Sequence, residues 1–291
     1  MTPKRPPLPL WTLTLAAALA LGACSKAPPS PPPPLPGPQA TPPAPPPPPV
    51  ATTAPEFPLN CNESAVTALG LYMAENNAWG KGDLQGWSQC MGVGYNSAGG
   101  FAARWTWDWP EGKGNVKAYP EIVFGHKPGY PQSSNTVLPR KLNQIQRAQL
   151  SYEVSTVRYG AGNMAVDMWL SRTDRPDTFT VPPISHEIMI WLDHFGPMYA
   201  GGQQVDQVTL DGVPYRVYLG EKFGLGWRYV AFLPNIPLRP AARMDLQAFF
   251  NYLKGKQWIQ GDEHLAAINF GNEIISGKGE TRLNLLNVVI D

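Results

Sequence analysis

The stretch Glu187–Leu192 reads Glu-Ile-Met-Ile-Trp-Leu, and this alternation decides the fold class. Alternate side chains of a β-strand point to opposite faces, so three aliphatic side chains share one face of this stretch. The other face carries Glu187, Met189 and Trp191. The first face is typical of a buried core. The second combines a carboxylate, a thioether and an indole, a mixture that favours a lined groove over open water.

Two further segments place carboxylates in similar surroundings. On a second predicted strand, Asp167 and Trp169 face away from the core, and Asn163 lies further along the same face. A third strand, predicted over Phe270–Ile275, sets Glu273 among apolar and glycine neighbours. A single carboxylate on a strand is usually a solvated residue. Three on separate strands with apolar flanks suggest a site, although periodicity alone does not bring them together.

The rest of the chain from about residue 60 onward follows the same two-residue period. Gly, Pro, Asn and Asp separate the segments, as in an all-β sandwich or barrel. One stretch has helical spacing instead, because Leu246, Phe249, Phe250 and Leu253 recur at three and four residues, with Asp245 at its start. The sequence therefore predicts one β-sandwich with a single helix. Its predicted strands are Phe101–Trp109, Ala165–Leu170, Glu187–Leu192, Tyr215–Leu219, Arg228–Leu233 and Arg282–Ile290.

The front of the chain is typical of an export signal. After two basic residues, an apolar run from about Leu10 to Ala20 is too short to span a bilayer as a helix, which needs about 20 residues. It ends in Leu-Gly-Ala-Cys at 21–24, which is similar to the lipobox of bacterial lipoproteins. We expect residues 1–23 to be a lipoprotein signal peptide and Cys24 to carry the lipid. The alternative is ordinary cleavage that leaves Cys24 as a free thiol.

A proline-rich segment follows the signal. Ala27–Pro55 consists almost entirely of Pro, Ala, Thr and Ser, so it has little to bury and is predicted to be an extended spacer. Residues 24–59 therefore form a lipidated cysteine with a tether, and residues 60–291 form the folded domain. With Cys24 lipidated, Cys61 and Cys90 remain as one pair, and a disulfide is expected in an oxidising compartment.

Composition narrows the class of function. The formal net charge is +1 and 15% of residues are charged, without the clustered Lys and Arg of a nucleic-acid binder. Ten tryptophans point weakly to saccharides, because sugar rings pack on flat apolar faces. The four histidines show no metal-ligand spacing, and no Ser/His/Asp arrangement or phosphate-binding glycine loop fits its required context. We therefore expect neither a metal nor a cofactor.

The chemistry that needs two such carboxylates is glycoside hydrolysis. A retaining enzyme uses one ionised carboxylate as nucleophile and one protonated carboxylic acid, about 5–5.5 Å apart. Their surroundings must separate the two pKa values so that each group holds the correct proton.

Five motifs in a fixed order then give a resemblance. The sequence resembles glycoside hydrolase family 12, whose members are endoglucanases and xyloglucanases. The resemblance implies an all-β, two-sheet jelly-roll sandwich with a concave substrate cleft and a single α-helix. It covers most of the folded part of the chain and rests on Asn76–Gly80, Asn115–Pro120, Asn163–Leu170, Glu187–Trp191 and Gly271–Glu273.

The resemblance also implies roles for individual residues. Glu187 matches the family's nucleophile and Glu273 its acid/base, while Asp167 matches the aspartate that hydrogen-bonds the nucleophile. Cys61 and Cys90 fall where many members have a disulfide.

Five further residues are expected to contact or support the substrate. Trp79 matches a tryptophan that stacks on a sugar in the non-reducing half of the cleft, and Asn77 lies in the same motif. Asn163 matches a polar contact near the reacting centre. Met189 matches a methionine packed beneath that centre, and Trp191 follows it on the same face.

The expected function is that of a retaining endo-β-1,4-glucanase acting on soluble cellulose, mixed-linkage β-glucan or xyloglucan. The alternatives are a xylanase of the related jelly-roll family and a non-catalytic glucan-binding lipoprotein. We expect a monomer whose partners are a β-glucan and a membrane, reached through Cys24, with no nucleic acid. The protein would be exported and lipid-anchored to the bacterial envelope, at the outer membrane, or secreted. Trp105, Trp107 and Trp109 either line the cleft or pack between the sheets.

Overall fold

The computed structural model describes residues 56–111, 114–179, 183–221 and 226–291. The predicted signal peptide, Cys24 and nearly all of the tether lie outside the described residues. Within these ranges the chain forms the following elements: β1 Val66–Leu69, β2 Tyr72–Glu75, β3 Ser88–Tyr95, β4 Phe101–Trp109, β5 Glu121–Gly125, β6 Arg140–Lys141, β7 Ala148–Arg158, β8 Ala161–Ser171, β9 Ile184–Phe195, β10 Gln203–Leu210, β11 Val213–Glu221, β12 Arg228–Pro234, β13 Ala241–Asp245, α1 Leu246–Gly255, β14 His264–Gly271 and β15 Ile274–Ile290.

The strands form two sheets. The outer sheet has the order β3-β4-β15-β7-β13, with antiparallel neighbours throughout. The inner sheet has the order β1-β2-β5-β14-β8-β9-β12-β11-β10, and β6 pairs with the start of β14. Strand β15 connects the two, because Ile274 and Ser276 pair with β8 before the strand continues between β4 and β7.

One pair in the inner sheet runs in parallel. Strands β9 and β12 are aligned from Arg228 opposite His186 to Phe232 opposite Ile190, whereas the other neighbours on this path are antiparallel. Strands β10 and β11 lie between β9 and β12 in the sequence, and they extend the sheet beyond β12 to its edge.

The core lies between the two sheets, as the alternation predicts. Val166, Met168 and Leu170 of β8 and the aliphatic face of β9 belong to one large buried cluster. The six predicted strands are confirmed as β4, β8, β9, β11, β12 and β15. The fold is therefore the expected β-jelly-roll sandwich, with one α-helix and a short 3-10 helix, Leu142–Gln144, among the described residues.

The helix forms as its spacing predicts. Its four regularly spaced apolar residues are buried, and the Asp245 side chain caps the N-terminus by accepting the N–H of Gln247 at 3.1 Å. Phe249 packs against Tyr215 and Phe232, with ring centroids 5.4 and 5.0 Å apart. The helix thus closes one side of the core.

The predicted disulfide between Cys61 and Cys90 is present. It ties the segment before β1 to β3, where Asn60 and Met91 also exchange backbone hydrogen bonds. Among the described residues, no helix is long and apolar enough to cross a membrane.

Candidate active site

Both predicted glutamates lie on one face of the inner sheet, with β8 between them. Asn163, Asp167 and Trp169 alternate along that face of β8. On one side, Glu187 of β9 is the register partner of Trp169. On the other, Glu273 is hydrogen-bonded to Asn163. The fold therefore brings together carboxylates that are 86 residues apart in the sequence.

Glu273 lies in a break between two strands, which corrects the prediction of a continuous strand over Phe270–Ile275. Strand β14 ends at Gly271 and β15 begins at Ile274. The backbone N–H of Glu273 donates to Asn163 Oδ1 at 3.1 Å, so a side chain replaces the usual strand partner. Asn163 Nδ2 then donates to Glu273 Oε2 at 2.5 Å. One asparagine thus fixes both the backbone and the carboxylate of Glu273.

Asn272 anchors this break from beneath. Its Oδ1 accepts from Trp105 Nε1 and from Thr281 Oγ1, both at 2.9 Å, and its Nδ2 donates to the carbonyl of Asn163 at 2.8 Å. Asn272 is fully buried, and its two donors lie on the outer sheet. The residue beside Glu273 is therefore bonded to both sheets.

The three alternating tryptophans of β4 pack between the sheets. Trp105, Trp107 and Trp109 are all buried within the core cluster. This settles the choice between core packing and lining the cleft. Trp105 nevertheless reaches the site indirectly, through Asn272.

Glu187 is held by a tryptophan that the sequence pattern did not single out. Trp227 Nε1 donates to Glu187 Oε2 at 2.8 Å. The ring of Trp227 packs edge-on against Trp169 and Phe179, with centroids 5.5 and 5.0 Å apart. Since Trp227 directly precedes β12, it lies outside the alternating segment that the sequence marked as a strand.

The surroundings raise the pKa of both glutamates. Burial raises the pKa of Glu187 to about 7, while the hydrogen bond from Trp227 acts in the opposite direction. Burial also raises the pKa of Glu273 to about 7; the negative charge of Glu187 adds to this increase, and the bond from Asn163 opposes it. The two carboxyl groups therefore influence each other electrostatically, as groups that share one site do.

Asp167 is buried between these two groups. Burial raises its pKa well above the usual range, and the charges of Glu187, Glu121 and Glu273 raise it further. Its Oδ1 has no hydrogen-bond partner among the described residues. The side chain therefore tends to keep a proton, which it can donate to a neighbouring carboxylate.

A second charged network lies on the same face, over β2 and β5. Lys127 forms ion pairs with Glu75 and with Glu121, the latter at 2.7 Å. Glu121 also accepts from Asn77 Nδ2 at 2.9 Å and from Asn269 Nδ2 at 2.7 Å. Of these residues, only Asn77 was predicted from the sequence. The others occupy short strands and loops in which no alternation distinguishes them.

The predicted sugar-contact residues divide by exposure. Trp79 is 67% exposed, and its backbone N–H donates to Asn77 Oδ1 at 3.1 Å, so a flat indole stands beside the charged network. Trp191 is only 1% exposed and Met189 is also buried. With so little free surface, Trp191 supports the site from below, and in this structure it offers a sugar almost no contact area.

Two buried tyrosines complete the surroundings. Tyr229 Oη donates to Met189 Sδ at 3.4 Å, and Tyr119 Oη donates to the carbonyl of Ala165 at 3.2 Å. Burial, together with the nearby carboxylates, raises the pKa of both phenols well above the usual value. Both therefore remain protonated and can act as hydrogen-bond donors at neutral pH. Within the described ranges, no group of three or more His, Cys, Asp or Glu side chains is arranged to hold a metal ion.

Comparison with known proteins agrees with this geometry. The sequence model of the family described as Glycosyl hydrolase family 12 matches residues 70–291. Endoglucanase S of Pectobacterium parmentieri is 30% identical over 217 residues, covering 72% of this chain and 78% of that protein. Xyloglucan-specific endo-beta-1,4-glucanase A of Emericella nidulans is 27% identical over 226 residues, covering 76% and 86%.

Solved structures of related proteins superimpose on this fold. The family 12 xyloglucanase from Bacillus licheniformis, in complex with ligand, superimposes with a TM-score of 0.70 at 27% identity, covering 80% of this chain and 100% of that one. Endoglucanase cel12A from Rhodothermus marinus superimposes with a TM-score of 0.70 at 26% identity, covering 80% and 98%.

Proposed function

Because this chain belongs to glycosyl hydrolase family 12 and is an endo-β-1,4-glucanase, we propose that Glu187 and Glu273 are the two residues that cleave its substrate. The observation that carries the proposal is their placement on one face of one sheet, on either side of β8, where the charge of Glu187 raises the pKa of Glu273. A retaining glycosidase requires two carboxyl groups that flank the scissile bond, and this placement supports that role.

The proposed reaction is a double displacement. Glu187 attacks the anomeric carbon while Glu273 protonates the leaving oxygen, which gives a covalent glycosyl-enzyme and a free reducing-end fragment. Glu273, now ionised, removes a proton from water, and the resulting hydroxide displaces Glu187 with net retention of configuration. The site is suited to the first step, because the charge of one glutamate helps to keep the proton on the other.

Neighbouring groups assist each glutamate. Trp227 stabilises the ionised form of Glu187 through its indole N–H. Asp167, whose raised pKa favours its protonated form, is assigned to donate to the same carboxylate and to orient it. Asn163 holds the Glu273 carboxyl group toward the cleft. We assign these three residues to positioning and tuning, and the two glutamates to bond making and breaking.

Substitution of each glutamate tests the assignment. We expect Glu187→Gln and Glu273→Gln to lose about 10²–10⁴-fold or more of kcat on carboxymethyl-cellulose, barley β-glucan and xyloglucan while remaining folded. Glu153→Gln on the outer sheet is the matched control and should retain full activity. Near-normal turnover by either cleft variant would overturn the assignment.

The same assay separates the alternatives. Release of reducing sugar from a glucan by the wild-type protein excludes a purely glucan-binding role. Faster hydrolysis of xylan than of β-glucan would instead favour a xylanase. Product profiles on the three glucans give the substrate preference, for which the relatives provide precedents of both kinds: one is named as an endoglucanase and another as xyloglucan-specific.

We also propose that the enzyme is exported and held to the cell envelope through a lipid on Cys24. The Leu-Gly-Ala-Cys sequence at 21–24 and the proline-rich segment that follows support this proposal. The disulfide between Cys61 and Cys90 is in keeping with an oxidising compartment. Radiolabelled palmitate should be incorporated into the wild-type chain but not into Cys24→Ala, which should appear in the soluble fraction. Equal labelling of the wild-type chain and Cys24→Ala would exclude Cys24 as the site of the lipid.

A further inference from the structure

The seven residues 196–202 between β9 and β10, here called the Tyr199 loop, cross the face of the inner sheet that carries the glutamates. Pairing across β11 and β12 places Gln203 of β10 level with Ile188 of β9. Phe195, where β9 ends, lies seven residues further along. The distance along the strands from the level of Phe195 to the level of Gln203 is therefore about 23 Å. The seven loop residues can span this distance only when they are nearly extended.

Burial shows which face the loop covers. Met189, Trp191 and Tyr229 lie on the same face as Glu187, yet all three are buried. Met198 of the loop packs into their cluster and is itself buried. The Tyr199 loop therefore covers this face on the β9–β12 side of the glutamates.

Both ends of the loop are fixed by close backbone contacts. Gly196 has a φ of 61°, and a Cβ there would lie 2.2 Å from the carbonyl oxygen of Gly160. Gly202 has a φ of 80°, and a Cβ there would lie 2.2 Å from the carbonyl oxygen of Leu219. With Met198 buried between these ends, the loop is held at three points.

Tyr199 stands out from this fixed loop. It is 84% exposed, more than Trp79 at 67% and more than any other large hydrophobic residue in the described ranges. A rigid exposed ring loses little conformational entropy on binding, and its flat face suits a sugar ring.

Trp79 and Tyr199 lie on opposite sides of the catalytic pair. Trp79 is linked through Asn77 to Glu121 of β5, two strands before β8 in the sheet order. The Tyr199 loop covers β9 and β12, which follow β8. A glucan chain lying across the strands over both glutamates therefore runs from one aromatic ring toward the other.

We propose that Tyr199 is a stacking platform for a glucosyl residue on the leaving-group side of the scissile bond. This inference rests on the proposed function and on the position that the family resemblance implies for Trp79, on the non-reducing side. Tyr199 would then contribute to the binding of long chains without contacting the sugar that forms the covalent intermediate.

Two substrates separate this role from others. β-Cellotriosyl fluoride fills only the non-reducing side and releases fluoride, whereas cellohexaose places sugars on both sides of the cleaved bond. For Tyr199→Ala we expect kcat/KM on cellohexaose to fall about tenfold and kcat/KM on the fluoride to be unchanged, since one aromatic contact is lost. Tyr199→Phe should retain wild-type values on both.

Two controls define the comparison. Trp79→Ala should lower kcat/KM on both substrates, and Tyr95→Ala, which removes an exposed tyrosine of the outer sheet, should lower neither. An unchanged kcat/KM of Tyr199→Ala on cellohexaose, or an equal loss on both substrates, would overturn the inference. A wild-type enzyme that released no fluoride would overturn the proposed function and this inference with it.

Discussion

At the scale of single residues, Glu187 and Glu273 have the same side chain but different neighbours, and the proposed reaction assigns them different tasks. The N–H of Trp227 stabilises negative charge on Glu187, and that charge in turn favours a proton on Glu273. The pair therefore titrates together, and a bell-shaped pH dependence of kcat/KM follows. On the proposed assignment, its acid limb reflects ionisation of Glu187, and its alkaline limb reflects loss of the proton from Glu273.

Substitution of Trp227 tests the effect of its hydrogen bond on Glu187. Trp227→Phe removes a donor to the carboxylate, so the pKa of Glu187 should rise and the acid limb should move to higher pH by about one unit. The alkaline limb should move less. Trp87→Phe, which alters a tryptophan stacked on Trp109 in the core, should leave both limbs in place. An unchanged acid limb in Trp227→Phe would show that this hydrogen bond does not tune the nucleophile.

Much of this residue-level arrangement could be read from alternation. The shared face of Asp167 and Trp169 and the outward position of Glu187 follow directly from a two-residue period. Trp227 could not be found in this way, since it precedes its strand and meets Glu187 only through the fold. Apart from Asn77, the charged network around Lys127 was also missed, because each of its other members contributes a single polar side chain to a segment without a clear pattern.

At the scale of elements, the break between β14 and β15 is the feature that periodicity failed to predict. Residues 270–275 look like one strand because their apolar residues flank a single glutamate. In the fold, Asn163 and Asn272 use their side chains to replace strand pairing, which frees Glu273 to point into the cleft. A local pattern does not reveal such a replacement, because the partner residue lies more than 100 positions away.

Asn272→Ala tests whether this break positions Glu273, the proposed acid. The substitution leaves the N–H of Trp105 and the hydroxyl of Thr281 without their shared acceptor, at a cost of about 1–3 kcal/mol in unfolding free energy. We expect kcat to fall about tenfold, with KM nearly unchanged, because a misplaced acid affects the transition state more than binding. Thr281→Val removes one donor but keeps Asn272, so it should cost stability with a much smaller loss of kcat. Equal losses of kcat in Asn272→Ala and Thr281→Val would show that Asn272 has only a structural role.

At the scale of the whole molecule, the sandwich class and the single helix followed from the sequence, whereas the strand order did not. Strand β8 has β14 and β9 as neighbours, although β14 lies about 100 residues further along the chain. Each strand's period shows which face is buried but not which strand lies beside it. The cleft depends on that order, so the meeting of Glu187 and Glu273 needed the fold.

The disulfide acts at this scale. It joins residues 29 apart in sequence, so its removal should lower the unfolding free energy by about 3–4 kcal/mol in the chain-entropy model. We expect Cys61→Ser/Cys90→Ser to show this loss in denaturant titrations, while kcat/KM at 25 °C stays near the wild-type value because the bond lies away from the glutamates. A large loss of activity without a loss of stability would contradict this view.

The parallel pairing of β9 with β12 has a consequence for how such a cleft can change. The segment between the end of β9 and the start of β12 leaves and rejoins the same pair of strands, and it contains the Tyr199 loop, β11 and the edge strand β10. One uninterrupted stretch of the gene thus encodes this whole side of the groove, whereas the Trp79 side is assembled from several distant stretches. Chimaeras that exchange only this cassette between related enzymes should alter one half of the groove while leaving the other half intact.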